Sequence, residues 1–446
     1  MSVDLAEVRP CMEGAIPAMM ATCAPDGTPN VAYISQVFHV DDRHVALSFQ
    51  FFNKTRQNIL AQPQATVLML HPVTACFYRL HLRYLRTETS GPVFEGMKAQ
   101  LAGIASHSGM AEVFRLRGAD IYAVLAVEAV AGGQTLPDKP ARCGLLNVLR
   151  RASERLALCT TLDELLNSVV DTLRGPLDLP HAMVLMLDPG TQRLYTVASC
   201  GYARSGVGSE IALGDGVIGV AARERTPVRV NHMTSAYRYS QAVRSGLGND
   251  ACERLTDIPY PGLSEPHSQL AVPVLGAGRL LGVLFVESEL DMRLGFEDED
   301  LLVTLAGQLG AAIEHLRLGV EPADNGGATL APPAEATPCA APLQVRCFSA
   351  NQSIFINDTY LIKGVAGAIL CKLLRDHARH GRSEFSNREL RLDPALGLPD
   401  VADNLEARLL LLQRRLQEQG QGMRIEKTGR GRFRLALPGP VQLLQD

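Results

Sequence analysis

Gly278-Arg-Leu-Leu-Gly-Val-Leu-Phe-Val-Glu-Ser-Glu289 is the stretch whose reading decides the fold. It follows Ser268-Gln-Leu-Ala-Val-Pro-Val-Leu-Gly-Ala277, and each stretch carries a short apolar run of the length and Val/Leu content of a buried strand. The Gly-Ala-Gly between them reads as a turn. Beyond lies Phe296-Glu-Asp-Glu-Asp-Leu-Leu-Val-Thr-Leu-Ala-Gly-Gln-Leu-Gly-Ala-Ala-Ile-Glu-His-Leu316, an amphipathic helix with acidic residues in its first turn, where they complement the helix dipole. Strand, turn, strand, long helix is therefore expected over 268–316.

At 446 residues the chain has room for about three domains. It lacks tryptophan, is rich in Gly and Pro, and carries no run of eighteen apolar residues, so no membrane span is expected. The first residues, MSVDLAEVRPCMEGAIP, show no charged-then-apolar signal pattern. Ten scattered cysteines without a CxxC pair suit reduced thiols in a cytoplasm, and structural zinc is not expected. The net charge of −4 is unevenly spread: residues 343–440 hold 16 Lys/Arg against 10 Asp/Glu, or +6, which leaves −10 elsewhere.

Two composition shifts divide the chain. GGQTLPDKP at 132–140 is a turn-rich break, and residues 319–342, rich in Ala, Pro and Gly, read as a tether. The domains expected are 8–131, 143–318 and 343–440. In the first, three strand runs between residues 12 and 50 are separated by Pro-Asp-Gly-Thr and Val-Asp-Asp-Arg turns. A short helix, NKTRQNILAQ, ends at Pro63; QATVLMLH and RYLRTETSG follow as strands, Phe94–Ser106 as a helix and IYAVLAVEAV as a closing strand. An antiparallel barrel satisfies this order.

On IPAMMATCAPDGTPNVAYIS, SFQFFNKTRQN and ILAQPQATVLML, this block resembles the pyridoxamine 5'-phosphate oxidase-like, FMN-binding split barrel. The resemblance implies a phosphate held around Lys54, Thr55, Arg56 and Asn58, with Tyr33, Ser35, Ser48 and Gln50 on strands flanking the flavin ring. Two charged donors and two neutral ones at a helix start suit an FMN phosphate. Within this barrel class haem, a deazaflavin or no ligand are the alternatives to FMN, and a solvated helix start is the alternative role for Lys54 and Arg56. Arg79, His81 and Arg83 alternate onto one strand face, read as the wet side of the sheet, with the lining of an anion site as the alternative. His107, Arg115 and Arg117 leave open a substrate-clamping role like that of the vitamin-salvage oxidase.

The central block resembles a GAF domain, a PAS-like α/β sensory fold, on SEIALGDGVIGVAARERTPVRV and SQLAVPVLGAGRLLGVLFVES. Such domains bind small molecules or dimerise. Its variable segment, 231–266, holds His232, Tyr237, Tyr239, Cys252 and Tyr260, with His267 beyond; His232 or His267 could serve as the axial ligand of a haem-binding member, with a surface or capping role as the alternative. The apolar stripes of Leu145–Leu156 and Leu301–Leu316 suit a helical bundle between the subunits of a homodimer.

The last block runs from an alternating sheet, LQVRCFSANQSIFINDTYLIKG, to a helix stopped at Gly381. A capping box at Ser386 and Glu389, a third helix DNLEARLLLLQRRLQEQG and a basic hairpin MRIEKTGRGRFRLAL follow. This layout resembles the winged-helix output domain of bacterial response regulators. The resemblance implies DNA contacts from Arg408, Arg414 and Arg415 on the third helix and from Lys427, Arg430 and Arg432 on the wing. Leu409–Leu412 makes that helix unusually apolar for a groove reader, and a protein-binding winged helix is the alternative. His377 and His380 read as a solvated helix end.

The fold expected is thus multidomain α+β: a split barrel, a GAF domain and a winged helix. The function expected is a cytoplasmic, ligand- or redox-responsive transcriptional regulator that binds DNA as a homodimer. The alternative is an FMN-dependent oxidoreductase with regulatory GAF and winged-helix domains.

Overall fold

The computed structural model describes residues 3–12, 17–34, 36–50, 53–72, 74–108, 116–131, 144–231, 258–318, 343–348, 352–357, 359–396, 405–429 and 431–445. The N-terminal domain is built on β1 (Ala18–Cys23), β2 (Pro29–Ile34), β3 (Val37–Asp41), β4 (His44–Phe49), β5 (Gln64–Leu70), β6 (Phe77–Glu88) and β7 (Gly118–Ala129), with helices α1 (Lys54–Ala61) and α2 (Pro92–Ser108). All seven strands are antiparallel, in the order β2-β1-β5-β6-β7-β4-β3. Between residues 12 and 50 the chain makes four strands rather than three, because the long run after Gly27 breaks near Gln36 into β2 and β3. A 3-10 turn, Ala6–Met12, seats Val8, Cys11 and Met12 in the core beside Met20, Val67 and Leu80.

The central domain comprises α3 (Leu145–Leu158), α4 (Leu162–Arg174), β8 (His181–Asp188), β9 (Arg193–Cys200), β10 (Glu210–Ala212), α5 (Gly216–Glu224), β11 (Val228–Val230), β12 (Ser268–Gly276), β13 (Arg279–Ser288) and α6 (Phe296–Leu318). Its antiparallel sheet runs β10-β9-β8-β13-β12-β11. The expected strand–turn–strand–helix is present, with Leu270 to Val274 on β12 and Val283 to Val286 on β13 buried. The Gly278 turn residue has φ +75°, in the left-handed region open to glycine. Helices α3, α4 and α6 cover one face of the sheet. The other face carries α5 and α2 of the N-terminal domain, whose Ala99 is fully buried beside Val217 and Ala221.

This arrangement corrects the expected dimer stripe on α6. Leu302, Leu305, Leu309 and Ile313 are spent on the domain's own sheet and on α3. On α3 itself Leu146 remains 80% exposed.

The described residues of the C-terminal region form two sheets and three α-helices. β14 (Leu343–Phe348), β15 (Ser353–Ile356) and β16 (Thr359–Ile362) make an antiparallel meander, followed by α7 (Gly364–His380), β17 (Glu384–Ser386), α8 (Asn387–Arg391) and α9 (Leu405–Gln419). The hairpin β18 (Arg424–Gly429) and β19 (Arg432–Ala436) pairs with β17. A further strand, β20 (Val441–Gln445), lies beyond the expected boundary at residue 440 and pairs parallel with β14. Gly381 caps α7 with φ +64°, and Ser386 caps α8 by accepting the Glu389 N–H. The Glu389 carboxylate does not close the expected capping box; it pairs with Arg382. Among the described residues no helix is long and apolar enough to cross a membrane.

Candidate functional site

At the start of α1, Asn53 accepts the Arg56 N–H (3.1 Å), so the NKTRQ segment begins a helix as expected. Its side chains part company there. Lys54 is exposed, whereas Thr55 and Asn58 are buried. Thr55 Oγ1 accepts from Asn30 Nδ2 (2.9 Å), and Asn58 Nδ2 donates to Thr22 Oγ1 (3.1 Å).

Arg56 turns inward to form an ion pair with Asp120 on β7 and donates to Thr87 Oγ1 (2.7 Å). Its guanidinium lies 4.3 Å from the Phe49 ring centroid. Burial works against the Arg56 charge, but the Asp120 carboxylate outweighs it and raises the Arg56 pKa. Neither expected role, a solvated helix start or a free phosphate donor, describes Arg56; of the two charged donors, Lys54 alone is exposed.

Tyr33, on the sheet-edge strand β2, is 79% exposed. Ser48 and Gln50 lie on and just after β4, with Gln50 buried, and Ser35 falls outside the described residues. Arg79, His81 and Arg83 do share one outward face of β6, where Arg79 and His81 approach Glu128 of β7 at 3.6 and 3.3 Å. Arg115 lies outside the described residues.

The N-terminal and central domains meet over the Phe296 ring, which carries the Arg9 and Arg229 guanidinium groups, each 4.2 Å from its centroid. Arg9 pairs with Asp300 (3.6 Å) and Arg229 with Glu299 (2.6 Å). A cavity of about 100 Å³ opens at this junction, lined by Arg9, His39, Gln100, Arg229 and Phe296 among others.

A polar cluster inside the central domain escaped the sequence reading. Glu287, 1% exposed, stands opposite His181 on β8 and Gln269 on β12, so the three share one face of the sheet. Its carboxylate accepts from the Leu263 N–H (2.9 Å) and from Gln269 Nε2 (2.9 Å). Burial raises the Glu287 pKa; the hydrogen bonds oppose that rise. Tyr202, just beyond β9, is raised by burial and by the Glu287 charge beside it, and its ring lies 5.5 Å from that of His181. His181 Nδ1 is buried without a hydrogen-bond partner among the described residues. The available signal was one acidic residue, Glu287, in a strand that is buried from Leu281 to Ser288. Of the variable segment, His232, Tyr237, Tyr239 and Cys252 lie outside the described residues, and His267 pairs with Asp291 (3.2 Å).

The basic residues of α9 are placed quite differently from the sequence expectation. Arg408 and Arg415 are only 6% and 5% exposed. Arg408 pairs with Asp188 at the end of β8 (2.5 Å) and lies 4.9 Å from the Tyr195 ring centroid. Arg414 donates to the Val197 carbonyl (2.7 Å), to Asp163 (2.6 Å) and to Asn167 (2.8 Å). Arg415 serves its own domain, donating to the Leu361 carbonyl (3.0 Å) and to Glu418 (3.0 Å). None of the three guanidinium groups is displayed to solvent as a groove reader requires, because the helix lies against the central domain. On the hairpin, Lys427 and Arg432 are exposed, and Arg430 falls outside the described residues. His377 Nδ1 meets the Arg382 carbonyl (3.1 Å) at the end of α7.

Comparison with known proteins agrees with the first two domains. Residues 5–128 match the family model for pyridoxamine 5'-phosphate oxidase, and residues 159–314 match that for the GAF domain. The chain therefore has a pyridoxamine 5'-phosphate oxidase-like N-terminal domain followed by a GAF domain. Among solved structures it is similar to the GAF domain of an Acinetobacter phosphoenolpyruvate-protein phosphotransferase, at 23% identity over 41% of this chain and 100% of that one, with a TM-score of 0.32. An FMN-binding protein from Syntrophomonas wolfei subsp. wolfei matches at 15% identity over 29% of this chain and 88% of its own, with a TM-score of 0.26. Free methionine-R-sulfoxide reductase from Neisseria meningitidis matches at 21% identity over 42% and 98%, with a TM-score of 0.32. No curated protein matches the chain.

Proposed function

We propose that this chain is a cytoplasmic transcriptional regulator in which the flavin-type barrel and the GAF domain control a winged-helix DNA-binding output. The observation that carries the reading is the C-terminal element order: a three-stranded meander, three helices and a hairpin with exposed Lys427 and Arg432, closed by β20. In a winged helix the third helix enters the major groove and the hairpin touches the backbone, which are the positions of α9 and of β18–β19. The surplus of +6 in this region supplies the phosphate attraction that DNA binding needs. The homodimer that accompanies this reading requires a surface other than the inner stripe of α6.

FMN is the cofactor proposed for the barrel. The structure fits it in part: Lys54 and the start of α1 would hold the phosphate, while Arg56, committed to Asp120, would steady that helix. When bound, FMN would supply the hydride-transfer chemistry that amino-acid side chains lack. In the GAF domain the ligand site proposed is the cluster of His181, Tyr202, Gln269 and Glu287, where a buried carboxyl and a buried, unpartnered imidazole nitrogen stand side by side on one face of the sheet.

The match to the oxidase family favours a second reading, an FMN-dependent oxidoreductase regulated by the other domains. A visible spectrum of the purified protein with flavin bands, followed by a turnover assay with reductant and acceptor, separates the two. A regulator holds its flavin without turning over. The DNA claim is tested by titrating the full chain with duplex DNA against salt. A binding constant whose logarithm falls linearly with log salt supports it, and the absence of duplex binding at low salt by chains whose α9 is free refutes it.

A further inference from the structure

We infer that the GAF domain masks the DNA-reading face of α9, and that release of this helix is the switching step. The inference rests on the DNA-binding reading above and names its regulation.

A helix of a small domain has one side fixed by its own core and one side left over. Leu405, Leu412 and Leu416 are buried in the apolar core, and α9 packs on α7, α8, β16 and β18 of its own domain. The leftover side is the one a winged helix offers to the groove. Here it is covered: from Leu405 to Leu416 no residue of α9 is exposed. That explains the surplus of leucine, since Leu411 packs near Gly208 of the GAF domain on the side away from the helix's own core.

Arg408, Leu411, Arg414 and Glu418 recur at intervals of three and four, with Arg415 next to Arg414, and lie along this covered side. Asp188 and Asp163 take the guanidinium groups of Arg408 and Arg414, and Ser205 Oγ donates to Glu418 (2.5 Å). Outside the helix, Lys363 lies 3.7 Å from Glu210. The GAF domain thus offers carboxylates where DNA would offer phosphate and base-edge acceptors, and the GAF domain and the duplex compete for one face of the helix. Arg415 is excluded from the switch, because its partners belong to its own domain.

The same strands reach the GAF polar cluster. β8 begins at His181 and ends at Asp188, and the loop after β9 carries Tyr202 beside Glu287 and Ser205 at α9. A ligand that favours one setting of Tyr202 therefore acts three residues from a docking contact.

If only a fraction of molecules has α9 free, the apparent dissociation constant exceeds the intrinsic one by the inverse of that fraction. The test uses the full chain, a labelled duplex of random sequence at low salt, and hydrogen exchange across 405–416. Asp188→Asn removes the partner of a buried arginine; the double variant Asp163→Ala/Asn167→Ala is milder, Asp163 being half exposed, and carries the test if the first unfolds. Masking predicts faster exchange in α9 and a gain in duplex affinity of about tenfold or more for the first variant and about threefold for the second. Adding Lys427→Glu should reduce that gain. Faster exchange with unchanged, measurable affinity overturns the mask and leaves the DNA reading standing. Faster exchange with no duplex bound by any variant overturns the DNA reading itself and makes α9 a fixed joint between domains. Unchanged exchange in both folded variants also overturns the mask.

Discussion

Replacing Asp120 by alanine should cost the N-terminal domain far more than any surface ion pair is worth. Asp120 and Arg56 have side chains only 7% and 11% exposed. The pair sits in a network in which Thr87 Oγ1 donates to Asp120 Oδ1 (2.6 Å), Arg56 donates to Thr87, and the Tyr84 hydroxyl lies 2.7 Å from Thr87. Removing the carboxylate strands a guanidinium between Phe49 and Tyr84, and breaking a buried pair from one side costs roughly 3–5 kcal/mol. Arg56→Ala leaves Asp120 equally stranded and should cost a similar amount. The double variant removes both charges, so its cost should fall well short of the sum, with a coupling of about 2 kcal/mol or more. Hydrogen exchange of the 118–129 peptide reads the opening free energy of β7 without requiring the three domains to unfold as one. Each single variant should lower protection there by roughly two to nearly four decades, at about 1.4 kcal/mol per decade. Additive single effects below about 1 kcal/mol would refute the reasoning, for they would mean that Arg56 spends its time in solvent or on a bound phosphate.

Lys54→Ala should leave stability within about 0.5 kcal/mol, since the side chain is exposed, but weaken FMN binding by tenfold or more in a fluorescence titration. Burial opposes ionisation of Asp188, yet the Arg408 charge and hydrogen bonds hold its carboxyl below the usual range. Its contribution to docking is therefore complete above the ordinary carboxylate pKa of about 3.9 and is lost as pH falls through the lower folded value, which exchange at 405–416 should show as loss of protection in acid. Glu287 has the opposite sign: its folded pKa is raised, so it disfavours folding increasingly as pH climbs from about 4.3 through the folded value. Glu287→Gln should flatten that part of the melting-temperature profile of the GAF domain; an unchanged profile would show that the carboxyl is not the source. Lys427→Glu should lower the magnitude of the salt slope of duplex binding by about 0.9, the value of one phosphate contact.

Local pattern was enough to read most of the elements. The Gly278 turn and its flanking strands, the acidic start of α6, the Gly381 stop and the Ser386 cap are each decided by a few adjacent residues, so they are visible in the linear chain. The order of the first two domains was legible for the same reason. β20 was not, because a strand that pairs parallel with β14 nearly a hundred residues earlier leaves no local signature. The break between β2 and β3 was hidden because no Gly, Pro, Asn or Asp stands between Val31 and Val40 to mark a turn.

Site residues divided along the same line. That Lys54, Arg56, Arg408 and Arg414 are cationic, and which helices bear them, follows from sequence alone. Which of them face solvent was settled by partners far away in the chain: Asp120 for Arg56, Asp188 for Arg408, Asp163 and Asn167 for Arg414. A buried charge needs a counter-charge, and the fold alone decides where that counter-charge stands. Glu287 shows the converse: a lone acid in an apolar strand looks like a solvent-facing residue until β8 and β12 close on either side of it.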